Sequence, residues 1–133
     1  MKLYVGGAFQ GKKAYVDNEY SEIKTLKWFD GKDCVEKGSD YRTIADFDAV
    51  CNYHEVIRKE LLDGVSPEDE LDLLLKDNPE LIIVCDEVGC GVIPISKEDR
   101  MYREAVGRCM CIAASKADKV TRIICGIGQV IKC

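Results

Sequence analysis

Short apolar runs alternate with amphipathic and polar stretches along the chain, and this alternation predicts strands separated by helices. The apolar runs predict strands at residues 2–5, 49–51, 81–85, 120–125 and 129–132. Helices are predicted between them at residues 11–20, 53–62, 67–76 and 97–116. Runs without polar positions are typical of strands covered on both faces. The pattern therefore predicts an α/β fold with a mainly parallel sheet and helices on both faces.

The pattern is clear for the helices at 67–76 and 97–116 and weak for residues 21–46. Ser66 is a suitable N-cap for the helix at 67–76, and Pro67 fits its first turn. The helix at 97–116 is expected to bury four residues at core spacing, namely Met101, Ala105, Cys109 and Ile112. Residues 21–46 carry no sustained period, so only a turn at Asp30-Gly31 is predicted there.

Length, charge and cysteine content narrow the classes of function. A chain of 133 residues predicts one domain spanning residues 1–133. The formal net charge of -5, with basic residues scattered among acids, argues against nucleic-acid and membrane partners. Eight cysteines without a C-x-x-C pair, beside a single His, argue against a zinc site. Several cysteines lie in apolar runs, where reduced thiols pack as small hydrophobes, and no signal-peptide pattern is present. We therefore expect a cytoplasmic protein.

A glycine-rich loop lies between the first predicted strand and the first helix and fits the pattern G-x-x-x-x-G-K. Glycines let backbone N–H groups surround phosphate oxygens, and the following lysine can reach the outer phosphates of a nucleotide. The alternative is a plain strand-to-helix turn with an incidental lysine. We predict nucleotide binding by Gly6, Gly7, Ala8, Phe9, Gln10, Gly11, Lys12 and Lys13, with Lys12 also catalytic.

Lys13 departs from this loop pattern. The pattern has Ser or Thr here, whose hydroxyl binds Mg²⁺, whereas an ammonium group cannot ligate a metal. Phosphate binding is compatible with this substitution, but the loss of the hydroxyl argues against metal-assisted phosphoryl transfer.

Two carboxylates, Asp86 and Glu87, follow the apolar run at 81–85. Ligands of open α/β sheets bind beyond the carboxyl ends of the strands, so these acids are expected to face the loop. Glu87 is the predicted catalytic carboxylate and the candidate Mg²⁺ ligand. The alternative is a solvated acidic turn.

Five polar residues are candidates for contacts with a substrate or phosphate. Asn52 and His54 follow a predicted strand end, although a single His in a first helical turn is more often a packed or capping residue. Arginines on the long helix can bind an anion, but surface ion pairs or a subunit interface would explain them as well. These arginines are Arg100, Arg103 and Arg108.

Together these segments resemble the cobinamide kinase/cobinamide-phosphate guanylyltransferase family. The family opens with G-G-A-x-x-G-K-S and continues with E-V-G-x-G-[IV]-[IV]-P and R-x-[FY]-R-[DE]-x-x-G-R. This chain carries the corresponding residues at 6–12, 87–94 and 100–108, and a late A-D-x-V stretch at 117–120. The run from Glu87 to Arg108 is the specific part of the resemblance.

The resemblance implies a fold of the P-loop NTPase, RecA-like type and a homo-oligomer, typically a trimer. It implies GTP or ATP as the nucleotide, with Mg²⁺ as a candidate cofactor. It also implies two reactions on adenosylcobinamide: phosphorylation of its aminopropanol hydroxyl, and transfer of GMP through a covalent histidine intermediate.

Several departures indicate a short or divergent member of this family. Lys13 replaces the family's serine, Asn52 aligns with an aspartate, and Met110 replaces an asparagine. The middle region is shorter, and the family's H-R-x-x-R-P stretch with the guanylylated histidine is missing. His54 lies later in the chain, so the role of nucleophile does not transfer to it. The alternative function is a nucleotide- or corrinoid-binding homologue without transferase activity.

Overall fold

The computed structural model describes residues 1–8, 10–88 and 96–133, and the structural statements below concern these residues. Phe9 of the predicted nucleotide loop lies outside them, as do residues 89–94 of the family-like segment.

A six-stranded sheet forms the centre of the fold. Its strands are β1 (Lys2–Gly6), β2 (Trp28–Asp30), β3 (Ala49–Cys51), β4 (Ile82–Asp86), β5 (Lys119–Ile124) and β6 (Ile127–Lys132). They lie in the order β2-β3-β4-β1-β5-β6. All neighbouring pairs are parallel except β5 and β6, which form an antiparallel hairpin at one edge. The prediction of a mainly parallel sheet is confirmed.

Helices cover both faces of this sheet, as predicted, but unequally. They are α1 (Lys12–Tyr20), α2 (Lys32–Glu36), a 3-10 helix (Tyr41–Asp46), α3 (Tyr53–Leu62), α4 (Pro67–Asp77) and α5 (Lys97–Lys116). Buried residues of α2 to α5 join one core cluster with alternate sheet residues such as Leu3, Val50 and Ile83. On the opposite face, α1 is the only helix that packs among the described residues, and its Val16 joins a core cluster that includes Tyr4 and Ile82. The central strands β3 and β4 therefore bury both of their faces, which explains their apolar sequences.

Two expectations from the sequence need correction. Residues 21–46 contain β2, α2 and the 3-10 helix, whereas only a turn was predicted there. Met101 was predicted to be buried, yet it is 52% exposed. The buried seam of α5 consists of Ala105, Val106, Cys109 and Ala113, so it begins one turn after Met101.

Within the described part of the chain, no helix combines the length and the apolar character that crossing a bilayer requires.

Candidate functional site

The glycine-rich loop leaves β1 through a contact that only glycine permits. A Cβ atom on Gly6 would lie 2.4 Å from the carbonyl oxygen of Ile123 in the neighbouring β5. At the other end of the loop, Gly11 has φ 77° and directly precedes α1. A residue with a side chain rarely adopts this left-handed conformation. The two glycines of the sequence pattern therefore bend the backbone sharply between strand and helix.

The loop also rests on the turn of the edge hairpin. The backbone N–H of Gly126 donates to the carbonyl of Gln10 at 3.0 Å, and the N–H of Cys125 donates to the Gln10 side-chain oxygen. Cys125 and Gly126 both have positive φ, as a two-residue hairpin turn requires. These two hydrogen bonds thus hold the loop against the turn between β5 and β6.

Lys12, the first residue of α1, folds back over the loop. Its Nζ donates to the carbonyl oxygen of Gly7 at 2.7 Å and lies 2.6 Å from Oδ1 of Asp86. The lysine is only 8% exposed, so its charge depends on these contacts. Gly6 pairs in register with Asp86 across β1 and β4, and this register brings the carboxylate to the lysine.

His54 lies on the other side of Asp86. The backbone N–H of Asp86 donates to Nδ1 of His54 at 3.3 Å, while Nε2 lies 3.5 Å from Oδ2 of the same residue. Burial lowers the pKa of His54, although the carboxylates of Asp86 and Glu55 act in the opposite direction. The imidazole is therefore neutral at pH 7, and its accepting Nδ1 leaves the proton on Nε2.

Asn52 and Asp30 extend the site toward the sheet edge. Asn52 follows β3 in the left-handed conformation, with φ 53°, and its side-chain amide donates to Oδ1 of Asp30 at 2.9 Å. A Cβ on Gly31 would meet the carbonyl oxygen of Asn52 at 2.2 Å. Glycine thus allows the segment after β2 to approach the end of β3 closely.

These groups border a cleft of about 340 Å³ at the carboxyl ends of β2, β3 and β4. Lys12, Lys13 and Lys32 line it together with Asp30 and Asp86, so cations exceed carboxylates. A preformed cleft of this kind, with a helix N-terminus and lysines, suits an anionic ligand that carries phosphate groups. Among the described residues, no cluster of three or more acidic, Cys or His side chains forms a complete metal cage.

Lys13 does not turn toward Asp86. Its Nζ lies 3.9 Å from Oδ2 of Asp17 and 5.2 Å from the ring centre of Trp28. The side chain is half exposed and follows the surface of α1, so its charge borders the cleft without joining the Lys12–Asp86 pair.

Glu87 lies apart from this cleft. Its carboxylate is paired with Arg122 of β5, at 3.0 Å between Oε1 and Nε and 3.2 Å between Oε2 and a terminal nitrogen. It borders an apolar groove beside Val106 of α5. Its predicted roles as catalytic residue and Mg²⁺ ligand stay predictions, and Asp86 is the carboxylate that contacts Lys12.

The three arginines of α5 do not line the cleft in the described structure. Arg108 is 58% exposed and pairs with Glu68 of α4 at 3.3 Å, which is the surface ion pair considered as its alternative. Arg100 is exposed, and Arg103 is partly buried. Their predicted contacts with substrate or phosphate stay predictions.

Sequence reasoning missed Asp30, and of the two adjacent acids it singled out Glu87, whereas the carboxylate in contact with Lys12 is that of Asp86. The relevant signal is parity: Asp86 continues the alternation of Ile82 and Val84, whose side chains share the face covered by α1. Ending the predicted strand at Cys85 hid this alternation.

Comparison with known proteins gives two matches. The family model described as cobinamide kinase/cobinamide phosphate guanyltransferase matches residues 55–131. The bifunctional adenosylcobalamin biosynthesis protein CobU of Salmonella typhimurium strain LT2 is 32% identical over 69 residues. That alignment covers 49% of this chain and 38% of the relative, so the matched region is well under half of the longer protein.

Proposed function

Because the chain belongs to the cobinamide kinase/cobinamide phosphate guanyltransferase family, a family of P-loop NTPase fold, we propose that it is a nucleotide-dependent transferase of cobalamin biosynthesis or salvage. It binds a nucleoside triphosphate, GTP or ATP, at residues 6–13. Its second substrate is adenosylcobinamide or the phosphate ester of adenosylcobinamide. The observation that carries the proposal is the pairing of buried Lys12 with Gly7 and Asp86 at the mouth of the cleft.

In this mechanism the phosphates replace the protein's own oxygens around Lys12. The Lys12 ammonium exchanges Asp86 and the Gly7 carbonyl for phosphate oxygens, and backbone N–H groups of the loop and the start of α1 complete the contacts. Catalysis of phosphoryl transfer consists mainly of such positioning and charge neutralisation. Lys12 thus holds the transferred group and offsets the charge that develops on it.

The residues present fit a Mg²⁺ ion that arrives with the nucleotide. Mg²⁺ is usually held by one or two carboxylates together with substrate phosphates and water, so a complete protein cage is not needed. Asp86 and, further out, Asp30 are the carboxylates that line the cleft. When bound, Mg²⁺ would neutralise phosphate charge. His54 holds Asp86 from the side opposite Lys12.

The remaining expectations complete this proposal. We propose that the protein acts in the cytoplasm as a homo-oligomer, a trimer by analogy with the family. Contacts with the corrinoid or with a neighbouring subunit are proposed for Arg100, Arg103 and Arg108. Glu87 is a second candidate ligand of Mg²⁺.

Nucleotide binding tests the site directly. Binding of GTP and ATP is measured by calorimetry with and without Mg²⁺, for the wild type and for Lys12→Met. Removing the lysine should weaken binding at least about 30-fold, because a buried charge-assisted contact of about 2 kcal/mol or more is lost. Lys59→Met is the matched control, since Lys59 pairs with Asp63 on α3 and lies outside the cleft. Equal affinities for Lys12→Met and wild type would exclude this loop as the site.

Activity requires a separate experiment. The protein is incubated with adenosylcobinamide, Mg²⁺ and GTP or ATP, and the corrinoid is examined by mass spectrometry. Added phosphate indicates the kinase step, and added GMP indicates the guanylyl transfer. Complete absence of both products, with every metal and nucleotide tried, would contradict the transferase.

Lys13 supports the second candidate, a binding protein without transferase activity. An ammonium group stands where the loop pattern supplies the metal-binding hydroxyl, beside Asp17 and Trp28. Under this alternative, nucleotide affinity is indifferent to Mg²⁺ and no product forms. The Lys13→Ser variant distinguishes the transferase from the binding protein. It should gain Mg²⁺-dependent transferase activity only if the missing hydroxyl is what prevents that activity in the wild type.

A further inference from the structure

A second cavity lies between the 3-10 helix, α3 and α4, on the face of the sheet away from α1. Its volume is about 150 Å³, and it shares no lining residue with the nucleotide cleft. Tyr41, Ile44, Tyr53, Val56 and Leu74 give it aromatic and apolar walls, whereas Glu60 and Glu70 bring carboxyl groups.

Glu60 is an unusual member of this wall. The residue is only 2% exposed, and its Oε1 has no hydrogen-bond partner. A buried polar atom without a partner is rare in proteins and is commonly explained by a bound water, ion or ligand. The side chain of Glu60 lines the cavity, where rotation of its carboxyl group would bring an oxygen to a bound donor.

The charges around Glu60 favour a cationic donor. Glu70 and Glu68 from α4 and Asp63, which follows α3, act electrostatically on it, and the guanidinium of Arg42 acts in the opposite direction. That guanidinium is paired with Glu70 at 3.2 Å and is largely exposed. Burial and these neighbouring acids raise the pKa of Glu60 to about 8, so the free carboxyl is mostly protonated at pH 7. Binding of a cation would therefore be coupled to loss of the proton from the Glu60 carboxyl group.

We propose that this cavity binds a short primary alkylammonium group, with the ammonium on Glu60 and the alkyl stem against Ile44, Val56 and Leu74. Tyr41 and Tyr53 add aromatic rings, which attract cations. The cavity volume corresponds to about five water molecules, which matches a chain of about five heavy atoms. The site is separate from the nucleotide cleft, so the proposal does not depend on the transferase activity.

Calorimetry with n-butylammonium chloride tests the proposal on the whole protein at pH 7. We expect saturable binding at one site, with close to one proton released per ligand, detected by comparing buffers of different ionisation enthalpy. n-Butanol, which has the same alkyl stem without the charge, should bind at least about 30-fold more weakly, because the charged contact is lost. No saturable binding of n-butylammonium, or equal binding of n-butanol, would overturn the proposal.

Glu60→Gln should abolish both the binding and the proton release. Glu104→Gln is the matched control, because Glu104 of α5 pairs with Arg108 on the surface and does not line the cavity. It should keep the affinity within about twofold. Unchanged binding by Glu60→Gln would overturn the assignment, and the proton release of the wild type tests it independently of that variant's folding.

Discussion

Replacing Asp86 by Asn should strengthen nucleotide binding in the absence of Mg²⁺ and remove the gain that Mg²⁺ provides. Asp86 holds Lys12 at 2.6 Å in the nucleotide-free protein. A nucleotide must therefore compete with this carboxylate for the lysine. Asparagine has nearly the same shape and can still accept a hydrogen bond, but it carries no charge to be displaced.

The magnitude follows from the geometry of the pair. A phosphate oxygen bound to Lys12 at about 3 Å lies roughly 5.5 Å from the carboxylate, if lysine stands between them. Two unit charges at that separation repel by about 0.8 kcal/mol in water and about 3 kcal/mol at an effective dielectric of 20. The side chain of Asp86 is 21% exposed, which places it between these limits. We expect metal-free binding of GTP to tighten by about 1–2 kcal/mol, or about 5- to 30-fold.

Calorimetric titrations of GTP with EDTA and with Mg²⁺ measure both effects. Glu87→Gln is the matched control, because it removes a neighbouring carboxylate that pairs with Arg122 and does not contact Lys12. It should leave the metal-free affinity and the Mg²⁺ gain nearly unchanged. If Glu87→Gln loses the Mg²⁺ gain and Asp86→Asn keeps it, the original assignment of Mg²⁺ to Glu87 is correct and the present reasoning is refuted.

Three further predictions concern stability, measured by urea unfolding. Gly6→Ala should lower the free energy of unfolding by about 1–3 kcal/mol, because the added Cβ meets the Ile123 carbonyl. Gly7→Ala should lower it less, because the contacts of its Cβ are no closer than 3.7 Å. Equal losses in the two variants would contradict the steric reason. Gly107→Ala, in the middle of α5 with open space around the added atom, should stabilise by about 0.5–1 kcal/mol, and destabilisation would disprove this. Glu60 binds its proton more tightly when folded, with a pKa of about 8 against 4.5, so wild-type stability should fall between about pH 4.5 and 8. Glu60→Gln should reduce this decrease in stability with rising pH. An unchanged pH profile of stability would show that Glu60 does not cause the decrease.

The long elements were predictable because their sequence signals are local. Ser66 accepts a hydrogen bond from the backbone N–H of Asp69 at the start of α4, as its N-cap position predicts. The helix at 97–116 was predicted with the bounds that it has. Residues 21–46 were not predictable, since β2 has only three residues and depends on contacts with distant parts of the chain. One example is the packing of Gly31 on the backbone of Asn52.

The loop was predictable for the same reason, but its partner carboxylate was not. Gly6, Gly11 and Lys12 form a local pattern, and the structure brings the lysine over the loop. Which of two adjacent acids faces it depends on where β4 ends and on its register with β1. Parity places Asp86 on the same face as Ile82 and Val84, but both faces of β4 are buried and apolar, so the sequence does not show which face lies toward Lys12.

Under the proposed function, the Lys12–Asp86 pair would couple nucleotide binding to Mg²⁺ binding. In the free protein each charge satisfies the other in a mostly buried position. A phosphate that takes Lys12 leaves Asp86 beside neutral His54, with no cation in contact, and an isolated charge in such a position is costly. A divalent cation that accompanies the phosphates restores the balance. Glu87 is paired with Arg122 and does not contact Lys12, so the exchange of Lys12 would not leave Glu87 unpaired. Under the proposed function, this electrostatic requirement favours Asp86 over Glu87 as the carboxylate that holds Mg²⁺.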